Sequence, residues 1–116
     1  MTPLRLPHKA PVRFAKSILS KESSSSAKVA VEFAQIPSLA MLVEAAAQSC
    51  AALEDESKEG YLLALKSIKL LIKPTKKSYE IAVSKEHDFG NMVYIRFEVV
   101  DGEIEIANGY LTVALA

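Results

Sequence analysis

Two polar side chains stand out in the most apolar stretch of the chain. Glu44 and Gln48 lie four residues apart, so on a helix they share one face. A carboxylate among apolar neighbours is costly unless it is paired, protonated or facing a cavity, and such surroundings suit a general acid or base. The pattern alone equally allows Glu44 to face solvent or a subunit seam. It also allows Gln48 to be a satisfied buried amide.

Lysines form the one concentration of positive charge in the sequence. Such a patch could steer the phosphates of coenzyme A or an acidic carrier protein. The competing interpretation is a solvated strand and turn, because lysines on exposed strand edges guard against aggregation. The residues concerned are Lys66, Lys69, Lys73, Lys76 and Lys77.

The histidines and the cysteine offer little for metal or thiol chemistry. His8, His87 and Cys50 are far apart in sequence and lack the close ligand pairs of a zinc site. We therefore expect neither a metal nor a cofactor. A single cysteine excludes an intramolecular disulfide and fits a reducing cytoplasm, where we expect the protein to act. Cys50 has no predicted base nearby and is interpreted as a core residue.

Length and charge narrow the classes of partner. The 116 residues suit one domain, which we expect to cover residues 1–116. Fourteen basic residues balance fourteen acidic ones, so only a local patch could attract nucleic acid or an anionic membrane. Lysines interrupt the best apolar run, and the aromatic residues are scattered along strands. We therefore expect no nucleic-acid partner and no membrane partner.

The element that positions Glu44 is predicted to be a buried helix. It is expected to run from Leu39 to about Leu53, because alanine and leucine dominate this stretch and favour helix. Ser38 is the predicted N-cap. The helix is apolar on nearly every face, which is typical of a helix enclosed by other elements.

Strands are predicted on both sides of this helix. The turn signal Asp101-Gly102 predicts a tight hairpin, and Asn108-Gly109 predicts a β-bulge. A bend is expected at residues 70–72, where three consecutive apolar residues interrupt the alternation of the strand. The resulting order is two strands, one helix and four antiparallel strands, an α+β architecture. The predicted strands cover residues 12–20, 29–33, 61–73, 78–84, 92–100 and 103–114, with a polar turn at 21–26.

Several segments resemble bacterial 3-hydroxyacyl-carrier-protein dehydratases. The stretch LPHKAP at residues 6–11 resembles the family's opening motif, and LVEAAAQ at 42–48 resembles its central-helix motif. KLLIKP at 69–74 and the closing strands at 100–114 follow the family pattern in the same order. The resemblance implies a hotdog fold, in which a curved antiparallel sheet wraps one long central helix. It also implies a homodimer or a higher even oligomer that acts on acyl thioesters of carrier protein or coenzyme A.

By this resemblance, Glu44 is half of a catalytic pair whose other half is a histidine in a loop before the helix. Here only residues 34–38 separate Phe33 from Leu39, and that histidine and its loop are missing. His8 matches the opening motif instead, and His87 falls in a later predicted turn. Whether His8, His87 or Tyr61 of a partner subunit replaces the histidine is left open.

Three functions follow from this departure. The first is a dehydratase-like protein of fatty-acid or related acyl metabolism with weak or no dehydration. The second is a non-catalytic hotdog subunit that binds acyl groups or another protein. The third is a thioesterase that relies on Glu44, with the helix N-terminal amides near Leu39 and Ala40 polarising the thioester carbonyl. Gln48 would be a hydrogen-bond partner of the substrate in any of these.

Overall fold

One sheet and one helix make up the described part of the protein. The computed structural model describes residues 2–3, 15–23, 26–53 and 60–115. The elements in chain order are β1 (Thr2–Pro3), β2 (Ala15–Ser23), β3 (Ser26–Glu32), α1 (Leu39–Ser49) with a 3₁₀ turn (Cys50–Leu53), β4 (Gly60–Leu70), β5 (Ser78–Asp88), β6 (Met92–Asp101) and β7 (Ile104–Leu115).

The sheet has seven strands in the order β1-β2-β3-β5-β6-β7-β4, and all neighbours are antiparallel. The segment containing α1 therefore carries the chain from β3 to the far edge, where β4 pairs with β7. This crossing lays the helix over one face of the sheet. The described edges of the sheet are β1 and β4.

Alternation along the strands builds the core. In β3, β5 and β6 every second residue is buried against the helix, while the residues between them face outward. Each fully buried aliphatic side chain contributes roughly 1.5–3 kcal/mol relative to exposure. The largest fully buried side chains are Phe97, Leu42, Leu53, Ile81, Leu111, Val29, Val31, Val83, Val93 and Val99.

The helix begins where the sequence predicted but is shorter as an α-helix. Ser38 has extended backbone and its Oγ accepts a hydrogen bond from the Met41 amide at 3.2 Å, which confirms the predicted N-cap. The α-helix ends at Ser49, and the predicted last turn is a 3₁₀ turn from Cys50 to Leu53. A tightened last turn is a common way to end a helix.

The bend predicted in β4 lies earlier than expected. The irregularity in its pairing with β7 falls between Lys66 and Lys69, where Ser67 has φ of 53°, and a second one falls between Leu62 and Ala64. β4 ends at Leu70. Residues 71–73, which were predicted to continue the strand, lie outside it. The predicted bulge at Asn108-Gly109 is displaced onto the facing strand, since two residues of β4, Ser67 and Ile68, lie opposite the single residue Gly109.

Two predicted turns are shorter than expected. β5 continues through Lys85 to Asp88, and β2 and β3 extend into the polar segment expected to form a turn at residues 21–26. The hydrogen bonds between strands join backbone groups, so a strand can continue through residues with polar side chains. The Asp101-Gly102 hairpin is confirmed, and Gly102 has φ of 63°.

Candidate functional site

Glu44 lies on the flank of α1 that is turned away from the core. Leu42, Ala45 and Ala46 are fully buried on the other side. Ala40 is exposed, whereas Glu44 and Ala47 are half-buried. We call Ala40, Glu44 and Ala47 the helix flank; their spacing places them on one stripe. The helix was predicted to be enclosed on nearly every face, but its flank at Glu44 is only half-buried, because small alanines do not reveal which side of an apolar helix meets the core.

Gln48 is the partner that the spacing predicted. Its side chain is 4% exposed, and its Nε2 lies 3.5 Å from the Glu44 Oε1 that accepts the hydrogen bond. The contact is at the long limit for a hydrogen bond. It joins a buried amide to a carboxylate that still reaches the surface, so the pair can present polar atoms to a ligand on the helix flank.

The N-terminal turn of α1 is the predicted site of carbonyl polarisation. Leu39 is half-buried and Ala40 is exposed. The first N–H groups of a helix have no intrahelical acceptor, and here the Ser38 side chain already accepts from Met41. The arrangement leaves the role suggested for the Leu39 and Ala40 amides as a prediction.

His87 lies on the opposite side of the sheet from the helix. It faces Tyr94 across β5 and β6, and its ring centroid is 6.1 Å from that of Tyr94 and 6.0 Å from that of Phe89. The strand residues that face α1 instead include Val93 and Ile95, which are buried. His87 of the same chain therefore cannot approach Glu44. His8 lies outside the described residues.

The five lysines do not form one cluster. All are exposed. Lys66 and Lys69 pair in register with Tyr110 and Asn108, on the outer face of the sheet. The other three follow β4 in the segment 71–77.

Lys76 differs from the other lysines because it is already paired. Its Nζ lies 2.9 Å from Oδ2 and 3.0 Å from Oδ1 of Asp101. The hydrogen bond and the attraction of this carboxylate raise the pKa of Lys76. Of the five lysines in the patch, Lys76 is thus the least available to a ligand.

Cys50 is in the core, as interpreted from the sequence. It is buried, and its Sγ donates to the Ala46 carbonyl at 3.3 Å. Among the described residues, no group of three His, Cys, Asp or Glu side chains could hold a metal ion. No helix in the same part of the chain is long and apolar enough to cross a membrane.

The organisation of the outer sheet face could not be predicted from the sequence. Tyr94 and Tyr110 stack with centroids 5.3 Å apart and rings 6° from parallel, and Arg96 contacts Glu98. Bonding to Glu98 and Tyr110 raises the pKa of Arg96. The alternation of β6 predicted that these residues face outward, but only the register of β6 against β7 shows that they meet.

Two cavities that are lined by described residues open on this outer face. One, of 530 Å³, is lined by residues including Glu32, Tyr79 and Asp101. The other, of 260 Å³, is lined by residues including Lys28 and Arg96. Neither includes a residue of α1. We give more weight to the helix flank, because its polar pair is set in otherwise apolar surroundings.

Comparison with known proteins settles the fold. The chain matches no protein-family profile and no curated protein at a significant level. Solved structures do match, among them a chain of a dehydratase heterocomplex from Xenorhabdus doucetiae, with a TM-score of 0.78, 12% identity and coverage of 96% of this chain and 88% of that one. The chain has the hotdog fold.

Two other hotdog neighbours match over nearly the full chain. A sigma28-regulated virulence protein from Campylobacter jejuni has a TM-score of 0.75 and 14% identity, covering 98% of this chain and 92% of that one. A protein from Pyrococcus horikoshii has a TM-score of 0.73 and 12% identity, covering 100% and 95%. At such identities the likeness establishes the fold and not the activity.

Proposed function

We propose that this hotdog protein binds acyl thioesters, carried by acyl-carrier protein or coenzyme A, against the flank of α1. The observation that carries the proposal is the Glu44–Gln48 pair, at 3.5 Å, on an otherwise apolar helix. The acyl chain would lie along apolar surface, and the polar pair would meet the thioester end. The structural neighbour from Xenorhabdus doucetiae belongs to a dehydratase heterocomplex, which supports this class of substrate. We place the activity in cytoplasmic fatty-acid or related acyl metabolism.

Catalysis by this site would be limited by its single acid–base residue. Dehydration of a 3-hydroxyacyl thioester needs a base for the C2 proton and an acid for the leaving hydroxyl. Glu44 can perform one of these two proton transfers. His87 cannot perform the other, because it lies on the opposite side of the sheet from the helix. A positioned acid or base contributes about 10²- to 10⁴-fold, so we expect dehydration to be weak or absent.

We propose that a second subunit pairs with the β4 edge. β4 is an edge strand of eleven residues that pairs with β7 on one side and with no described strand on the other, and its Leu63 and Leu65 are 55% and 49% exposed. A long edge with exposed aliphatic side chains is a template for pairing with another chain. Pairing two β4 edges would extend both sheets into one and shield the exposed leucines. In such a continuous sheet the outer faces of both subunits lie on the same side, away from the helices. His87 of the partner subunit would therefore still not face the helix flank.

Binding and turnover assays with matched variants test the proposal. Crotonyl- and longer-chain thioesters of coenzyme A and carrier protein would be titrated and assayed for hydration and hydrolysis. We expect Glu44→Gln to abolish any turnover, while Glu103→Gln, at an exposed turn carboxylate, behaves as wild type. Binding without turnover supports the binding module, and hydrolysis that depends on Glu44 supports a thioesterase. Absence of acyl binding, or robust dehydration independent of Glu44, would overturn the proposal.

The exposed lysines would steer the charged part of the substrate. Lys66, Lys69, Lys73 and Lys77 make no ion pair with other described residues, whereas Lys76 is paired with Asp101. Electrostatic steering weakens with ionic strength. We expect Lys66→Glu with Lys69→Glu to slow association with carrier protein at low salt, and Lys76→Glu to have the smaller effect. If the double variant and Lys76→Glu slowed association equally, the lysines without an ion pair would be no more important for steering than Lys76.

A further inference from the structure

The edge strand β4 has a pattern of faces that is symmetric about Leu65. Leu65 is in register with the buried Leu111, so it lies on the inner face of the sheet, which carries α1. Its two neighbours, Ala64 and Lys66, are in register with half-buried residues of β7 and lie on the outer face. By register with β7, positions 60, 62, 65 and 70 are inner and positions 61, 64, 66 and 69 are outer.

The two irregularities of β4 fall at equal distances from Leu65. Leu63 is an extra residue that has no register partner on β7. At the other irregularity, Ile68 packs against the core, and Ser67, with φ of 53°, is the extra residue. Leu65 lies midway between Leu63 and Ser67, and it is also the midpoint of the strand Gly60–Leu70. The order of inner, outer and extra positions is therefore the same from either end of the strand.

This symmetry is what a two-fold axis requires of an edge strand. In a two-fold interface, a residue of one copy that contacts a second residue of the other copy is itself matched by the reverse contact. Residues directly opposite each other in an antiparallel pair also share one face of the sheet. With the axis at Leu65, inner positions face inner positions, outer positions face outer positions, and Leu63 faces Ser67 of the partner subunit. All eleven residues of β4 then pair without a change of face.

Other positions of the axis set opposing residues on different faces. With the axis at Lys66, the outer Ala64 faces the inner Ile68 of the partner subunit, and the two Lys66 side chains face each other. With the axis between Leu65 and Lys66, each inner leucine faces an outer lysine. A slip of one residue turns side chains to the wrong face, and like charges directly opposite each other destabilise a strand pair. With the axis at Leu65, Lys66 faces the uncharged Ala64 instead. Larger slips shorten the paired stretch and leave the extra residues unmatched.

We propose that two copies of this chain pair through β4 in this one register, with Leu65 on the two-fold axis. The inference rests on the β4 pairing proposed above and specifies which residues meet. On the inner face it joins Leu65 of both copies, which is 49% exposed in the single chain, and sets Leu70, 42% exposed, opposite position 60. The resulting apolar strip lies on the side of the sheet that carries α1. An acyl chain bound on that side would therefore contact leucines of both subunits.

Disulfide trapping at single positions tests the register. Opposite residues of an antiparallel pair have Cα atoms about 4.5–5.5 Å apart, a separation that a disulfide can span. Under mild oxidation of the full chain, Leu65→Cys should form a covalent dimer about tenfold or more faster than Leu63→Cys, as measured by non-reducing electrophoresis. Leu63 is the matched control, because it is 55% exposed on the same edge but would face Ser67 of the partner subunit. Wild type, in which Cys50 is buried, should not cross-link.

A second pair of positions checks the same register independently. Ala64→Cys and Lys66→Cys refolded together should cross-link to each other, whereas each variant alone should cross-link slowly. Circular dichroism and sedimentation establish that each variant is folded and dimeric. A dimer in which Leu63→Cys cross-links as fast as Leu65→Cys, or in which neither does, would overturn the register. A wild type that is monomeric in sedimentation would overturn the β4 pairing itself and the register with it.

Discussion

The carboxylate of Glu44 reaches the surface while the amide four residues later is buried. The sequence predicted their shared face from spacing alone. It could not predict the degree of burial of Glu44, since Ala40 and Ala47 fit solvent and core equally well. It also could not show that His87 is turned away from the helix, because the irregularity between Lys85 and His87 reverses the face on which the later residues lie.

Replacing Glu44 with glutamine should change stability little. The amide keeps the shape of the carboxyl group and an oxygen that can accept from Gln48, so the free energy of unfolding should stay within about 0.5 kcal/mol of wild type. Urea denaturation followed by circular dichroism measures this. A loss larger than about 2 kcal/mol would show that Glu44 is structural, and loss of activity in that variant could not then be assigned to chemistry.

Gly109 is required by the close approach of β4. A Cβ built at this position would lie 2.4 Å from Cδ1 and 3.2 Å from Cα of Ile68, and 3.0 Å from Cε1 of Phe97. Gly109→Ala should therefore destabilise the protein by about 1–3 kcal/mol through overpacking. Ile68→Val removes the nearest atom, so the double variant should recover part of the loss. Simple additivity of the two changes in thermal or urea unfolding would exclude this contact as the cause.

At the scale of secondary-structure elements, the sequence predicted the start of the helix more accurately than the ends of the strands. The start of α1 follows from a side-chain oxygen at Ser38 that has a defined backbone donor. The ends of β2, β3 and β5 depend on which strand lies alongside, and that information is not local. The bend in β4 was misplaced for the same reason, because the bulge residues Ser67 and Ile68 are defined by Gly109 on the neighbouring strand.

The N-cap of α1 makes a measurable contribution. Ser38→Ala removes the acceptor for the Met41 amide and should cost about 1 kcal/mol, within a range of roughly 0.5–2 kcal/mol. Ser38→Asp retains an acceptor at the helix N-terminus and should preserve most of that stability. Equal losses in the two variants, measured by chemical denaturation, would indicate that the hydroxyl acts through another contact.

For the molecule as a whole, the order of strands and helix along the chain predicted an α+β architecture, and the resemblance to the dehydratases implied the hotdog fold. What the sequence could not give is which edge remains open. β4 becomes an edge because α1 carries the chain across the sheet, so no described strand lies beyond β4, and its Leu63 and Leu65 are left exposed. Alternation alone would place these leucines in a core.

We therefore predict that the protein is a dimer joined through β4. Sedimentation at micromolar concentration should show no monomer. Leu65→Lys should shift the population towards monomer, because pairing would bury the added charge at the seam. Lys28→Glu, on the outer face, serves as the control and should remain dimeric. A stable wild-type monomer, or a dimer insensitive to Leu65→Lys, would contradict assembly through this edge.

The two hydrogen bonds to the Tyr79 hydroxyl have a consequence for proteolysis. In the segment 69–77, Lys69, Lys76 and Lys77 are exposed and offer bonds that trypsin can cleave, whereas the bond after Lys73 is protected by Pro74. A protease must draw the chain into its cleft, and here that requires release of the Thr75 and Lys76 amides. Cleavage in this segment should therefore be slow in the wild type and several-fold faster in Tyr79→Phe, as mapped by mass spectrometry of limited digests. Similar cleavage rates in the two proteins would mean that the segment opens independently of Tyr79.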